Sequence, residues 1–79
     1  MDKAEIIREL ENIAFEKRWL ILKELIEQTI HLIKDEPHMD ANYKQLKKDV
    51  ENIGVKKPTP ENEKEFEILR KKTLNILNP

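Results

Sequence analysis

The stretch DKAEIIRELENIAFEKRWLILKELIEQTIHLIKDE, residues 2–36, decides the fold, because it holds neither glycine nor proline. Asp2 followed by Glu5 suits a helix N-cap and its box partner. Apolar residues then recur at helical spacing along two lines. Phe15, Trp19, Leu22, Ile26 and Ile33 form one line, and Ile21, Leu25 and Leu32 the other, with Leu20 and Ile30 widening the face. Ile6, Ile7, Leu10, Ile13 and Ala14 extend the pattern toward the N-terminus. Pro37 disfavours helical geometry at Glu36. The reading is one helix over about 3–35, roughly 50 Å long at ~1.5 Å per residue.

Working outward, EPHMD (36–40) reads as a short loop ending in an N-cap at Asp40. Tyr43, Leu46, Val50 and Ile53 mark a second helix over about 41–53. The segment ENIGVKKPTPENE (51–63) then punctuates the chain. Gly54 stands where a left-handed residue ends a helix, with Val55 placed to touch Val50. Thr59 is an N-cap, Pro60 takes the first helical position, and Glu61 and Glu63 favour the positive helix end. Phe66, Leu69, Thr73 and Ile76, with Leu77 beside them, form the buried stripe of a third helix over about 60–77. Lys71 and Lys72 favour its negative end. The expected fold is all-α, three helices in a single domain spanning 1–79.

Composition narrows the function. Seventy-nine residues are close to the lower limit for a self-sufficient core, and there is no cysteine for a disulfide or zinc staple. Fifteen basic side chains balance sixteen acidic ones, so the net charge of −1 gives no global pull toward nucleic acid or anionic membrane. The first residues lack the apolar run of a secretory signal, and no apolar stretch approaches the ~20 residues of a membrane span. A cytoplasmic protein is expected, and the Ile, Lys, Glu and Asn usage suits a low-GC bacterium, its phages or an archaeon.

The IGV turn is spelled like a helix-turn-helix, yet the helix that would enter the major groove opens with Pro60, Glu61, Asn62 and Glu63. Carboxylates there meet phosphate repulsion. A looser nucleic-acid reading remains as the alternative. Lys44, Lys47, Lys48, Lys56 and Lys57 lie within a short span opposed only by Asp49 and Glu51, a patch able to hold phosphates without reading sequence.

Enzyme chemistry finds little footing. Gly54 is the only glycine, which excludes a glycine-rich phosphate loop, and Thr29 and His31 do not share a helix face. His31 and Asp35, with His38 and Asp40 beyond, have metal-ligand spacing, but His31 reads more simply as favouring a helix C-terminus. The long-short-medium helix order resembles all-α chorismate mutases in architecture only. That likeness implies a dicarboxylate bound by several cations, whereas the only arginines are Arg8, Arg18 and Arg70. No catalytic residue, cofactor or metal is therefore expected.

The length mismatch points to binding. A first helix of about 50 Å cannot be covered by a second of roughly 19 Å, so part of its apolar stripe should lie bare unless another chain covers it. Ile6, Leu10 and Ile13, with Phe15 and Trp19 as aromatic anchors, are the expected protein interface. Phe15 and Trp19 also suit the chain's own core. The first helix is net acidic, unlike a membrane-surface binder. The sequence thus describes a non-enzymatic helical protein-protein interaction module, its bundle completed by homodimerisation. Adaptor, inhibitor, immunity and regulatory roles all fit it.

Overall fold

Ile13 ends the first helix far short of Asp35. In the computed structural model, which describes residues 2–13, 19–54 and 59–79, its backbone is extended (φ −71°, ψ 127°) and caps a helix of only ten residues. The described residues form four α-helices: α1 (Lys3–Asn12), α2 (Trp19–Ile33), α3 (Asp40–Ile53) and α4 (Glu63–Leu77). Short 3-10 turns over Pro37–Met39 and Pro60–Asn62 lead into α3 and α4. The fold is all-α, as expected, but the predicted helix 3–35 is two helices. The longest dimension, 36 Å, cannot hold an unbroken ~50 Å helix. No helix among the described residues is long and apolar enough to cross a membrane.

The physical reason for the break lies in burial. Straight, the chain would leave Ile6 and Leu10 in water; folded back, both are fully buried. At about 1.5–3 kcal/mol per side chain, that gain outweighs the few hydrogen bonds a continuous helix would add. Asn12 eases the ending, its side-chain amide donating to the Arg8 carbonyl at 2.9 Å. Arg70 of α4 does more, since its Nη1 donates to the Leu10 carbonyl at 3.1 Å. One of the orphan carbonyls of the α1 C-terminus is thereby satisfied from another helix.

The helices run up, down, up, down. Lys3 shares a surface depression with Ile33 and Leu77, while Ile13 shares another with Ile21, so α1 is antiparallel to α2. Trp19 meets Phe66 at one end and Ile33 neighbours Leu77 at the other, so α2 and α4 run parallel. α3 runs back along α2, from Met39 beside Ile33 to Gly54 beside Lys23. The second helix packs on all three others, which explains its two apolar stripes. Its buried line is Trp19, Leu22, Leu25, Ile26, Thr29 and Ile33.

On α3 the buried positions are Leu46, Asp49 and Ile53, with Tyr43 and Val50 at half-buried flanks. On α4 they are Phe66, Leu69, Thr73 and Leu77, so Leu77 rather than Ile76 completes the stripe. Buried Thr29 and Thr73 donate their hydroxyls to the carbonyls four residues back, Leu25 and Leu69, each at 2.8 Å. That bond lets a hydroxyl sit in an apolar core without an unpaired donor.

Two punctuation marks read differently. Gly54 is right-handed helical (φ −54°, ψ −21°), its N–H bonded to the Val50 carbonyl at 3.2 Å. The left-handed ending expected there does not form, because the helical hydrogen-bond pattern simply continues through Gly54. Asp40 is the first residue of α3 rather than its cap, and it pairs with Lys44 at 3.0 Å. Asp2 and Thr59 do cap: Asp2 accepts from the Glu5 amide at 2.8 Å, and Thr59 from the Asn62 amide at 3.3 Å. Pro60 opens the 3-10 turn, so the α4 helix starts at Glu63.

Candidate protein-docking surface

The expected interface residues are mostly inside the molecule. Ile6 and Leu10 are fully buried, Trp19 is 2% exposed and Ile13 is half-buried; Phe15 lies outside the described residues. Among the described residues the bare stripe predicted from helix length is not present, because α1 folds back against α2 and α4. Trp19 stands edge-on to Phe66, with ring centroids 5.4 Å apart and planes at 87°, a favourable aromatic geometry. Its indole Nε1–H is buried with no hydrogen-bond partner among the described residues.

The described lysines of the patch make contacts of their own at the surface. Lys44 is paired with Asp40, and Lys47 lies 5.2 Å from the centroid of the Tyr43 ring as a cation–π contact. Lys48 is exposed, and Lys56 and Lys57 fall outside the described residues. Lys47 also lines a depression between α2 and α3 with Glu27, His31 and Glu51, so its nearest surroundings are acidic as well as basic. Glu61 and Glu63 are exposed at the α4 N-terminus, where a groove-reading helix would need to approach phosphates.

The residues weighed for chemistry are dispersed. The Thr29 hydroxyl is buried and committed to the Leu25 carbonyl, while His31 is exposed on α2. His38 sits 3.5 Å from the Glu36 carboxylate on the surface. Among the described residues, no three His, Cys, Asp or Glu side chains gather closely enough to hold a metal ion. Arg8 lines a shallow depression with Glu9, Asn12, Ile13 and Ile21. Arg70 is held by Glu67 through two bonds, Nε to Oε1 at 3.1 Å and Nη2 to Oε2 at 2.8 Å. These bonds from Arg70 pull the Glu67 carboxyl below its ordinary value, and the same pairing raises the guanidinium. The third arginine, Arg18, lies outside the described residues.

What the surface does offer lies at the end where α1 begins and α4 finishes. One depression, of about 140 Å³, is lined by Lys3, Leu32, Ile33, Glu36 and Leu77 together with Met39 and Ile76. A second, of about 480 Å³, is lined by Asn42, Lys72, Asn75 and Pro79 with the same two side chains. The two depressions share Met39 and Ile76, with polar side chains around them. Their flanks are fixed by a bridge between α3 and α4, where Lys72 Nζ donates to Asp49 Oδ2 at 2.8 Å and Gln45 donates to Oδ1 at 3.2 Å. Met39 escaped the sequence reading because EPHMD looks like plain loop. Ile76 was placed in the stripe; about 100° around the helix from Leu77, it is half-buried, packing partly on the core while lining both depressions. Elsewhere two large apolar side chains face water, Leu20 at 77% and Ile68 at 58% exposure.

No protein-family model matches the chain, and no curated protein or solved structure matches it.

Proposed function

We propose that this is a cytoplasmic, non-enzymatic helical module that dimerises and presents a surface to another protein. The observation that supports the reading is the pair of shallow depressions sharing Met39 and Ile76 at one end of a small helical domain. Such depressions take an amphipathic segment, with methionine supplying an adaptable contact. Lys3 on the rim, with Lys72 already paired to Asp49, leaves the rim of mixed charge, which suits a mainly apolar partner segment. The dispersal of His31, His38, Thr29 and the arginines supports a binding role over catalysis.

The test is site-specific photo-cross-linking in the cells that make the protein, with the photoreactive residue at position 76 or, as control, at the exposed Lys64. One defined protein adduct at position 76 and none at position 64 is expected. Equal adducts at both positions, or none at position 76, would contradict these depressions as the docking surface.

A further inference from the structure

Among the described residues Met39 carries the only sulfur. It ends the Pro37–Met39 turn, packs half-buried on the core, and lines both depressions at that end of the molecule. A leucine or isoleucine could fill the same space, but a thioether can also be oxidised and restored. The surroundings of the sulfur favour that chemistry. Its contact with α3 lies at the surface rather than in the core, where the exposed Asn42 Nδ2 donates to Sδ at 3.3 Å. That bond occupies one lone pair of a weak acceptor and leaves the other to react.

We propose that Met39 is a reversible oxidation site, and that its sulfoxide closes the Met39–Ile76 surface to an apolar partner segment. The oxidant is a peroxide. One peroxide oxygen is transferred to the free sulfur lone pair as the O–O bond breaks and the S–O bond forms. Sulfur gives up two electrons, the peroxide accepts them, and water leaves. The product is polar and chiral where the parent side chain was apolar. A segment docking over it must strip water from the S=O group without offering a donor in return, which weakens the contact. Asn42 gives the step a handedness. With its amide on one lone pair, oxygen adds mainly to the other, so one sulfoxide epimer predominates.

This inference rests on the docking surface proposed above, and one experiment separates the two. The full-length protein with the photoreactive residue at position 76 is cross-linked in its own cells, with and without hydrogen peroxide, beside the same protein carrying Met39→Leu. Peptide mapping follows Met39 apart from Met1, the only other methionine. Adduct yield should fall severalfold once Met39 carries an added oxygen. Met39→Leu, whatever its starting yield, should give the same yield in both conditions. Equal falls in the two proteins, or an undiminished yield from oxidised Met39, overturn the switch and leave the docking surface standing. A Met39 that stays reduced while Met1 is oxidised overturns the modification site. No adduct at position 76 without peroxide overturns both readings. A second measurement needs no partner. The purified, peroxide-treated chain is incubated separately with the two methionine sulfoxide reductases, each of which accepts one epimer. One should remove most of the oxygen from Met39 and the other little, whereas on Asn42→Ala the two should act about equally. Equal action on the parent, or the same bias in both proteins, contradicts the part given to Asn42.

Discussion

Arg70 shows how much a single side chain does in a chain this short. It satisfies an orphan carbonyl of α1 and pairs bidentately with Glu67 on its own helix. Arg70→Ala should destabilise by about 1–3 kcal/mol, the usual worth of hydrogen bonds to charged groups. Arg70→Lys should not restore it, since an ammonium lacks the planar fork. Urea denaturation of the three proteins decides this; a lysine variant as stable as the parent would contradict the bidentate role. Glu67 also sets a pH dependence. Its folded-state pKa is depressed, so its contribution is present above the ordinary glutamate pKa and lost as pH falls through the lower folded value. Glu67→Gln should therefore lower stability near neutrality, flatten the acid limb of the stability curve and converge with the parent at low pH. An unchanged acid limb would show that the pairing carries no stability. Gly54 gives the opposite lesson. Its right-handed backbone tolerates a Cβ, and the nearest atom, the Glu51 carbonyl oxygen, would lie at ordinary contact distance, 3.4 Å. Gly54→Ala should leave the melting temperature unchanged or raise it, by at most about 1 kcal/mol of stability. A loss of that size would reinstate a left-handed helix ending. The sequence alone points the other way here, since a glycine after the last apolar repeat reads as a left-handed cap. Its actual φ depends on the chain that follows.

At the scale of elements, what was legible followed from periodicity and caps. Asp2 and Thr59 cap where their spacing says, and the lines through Leu22, Ile26 and Ile33 and through Phe66, Leu69 and Thr73 are buried as read. The break at Ile13 was not legible, because local propensity favours a helix there and only the tertiary gain from burying Ile6 and Leu10 opposes it. The docking surface was invisible for a related reason: Met39 and Ile76 meet only once α3 and α4 are packed. The bridge that packs them is testable. Asp49 is nearly buried and neutralised by Lys72, which is itself about one-third exposed. Removing the cation by Lys72→Ala should cost about 1–3 kcal/mol, less than the 3–5 typical of a wholly buried pair because water reaches one partner. Replacing both, with Asp49→Leu and Lys72→Met, should recover most of that loss. A double variant less stable than Lys72→Ala would show that the pair contributes more than it costs to desolvate.

At the scale of the molecule, the four short helices of the described residues close a core that one long helix was expected to leave open. The alternative nucleic-acid reading makes a clear demand at this scale. If the lysines are only a solvated face, binding to duplex DNA at physiological salt should be no tighter than generic weak association, ~10⁻⁴–10⁻⁶ M. Nanomolar, sequence-dependent retention would overturn the protein-binding proposal in favour of that reading. The dimer is the central claim, and sedimentation equilibrium of the full chain, from micromolar to hundreds of micromolar, addresses it most directly. The account predicts a species of twice 9.5 kDa at micromolar concentration and a melting temperature that rises with concentration. A 9.5 kDa species throughout, with a melting temperature indifferent to concentration, would contradict it.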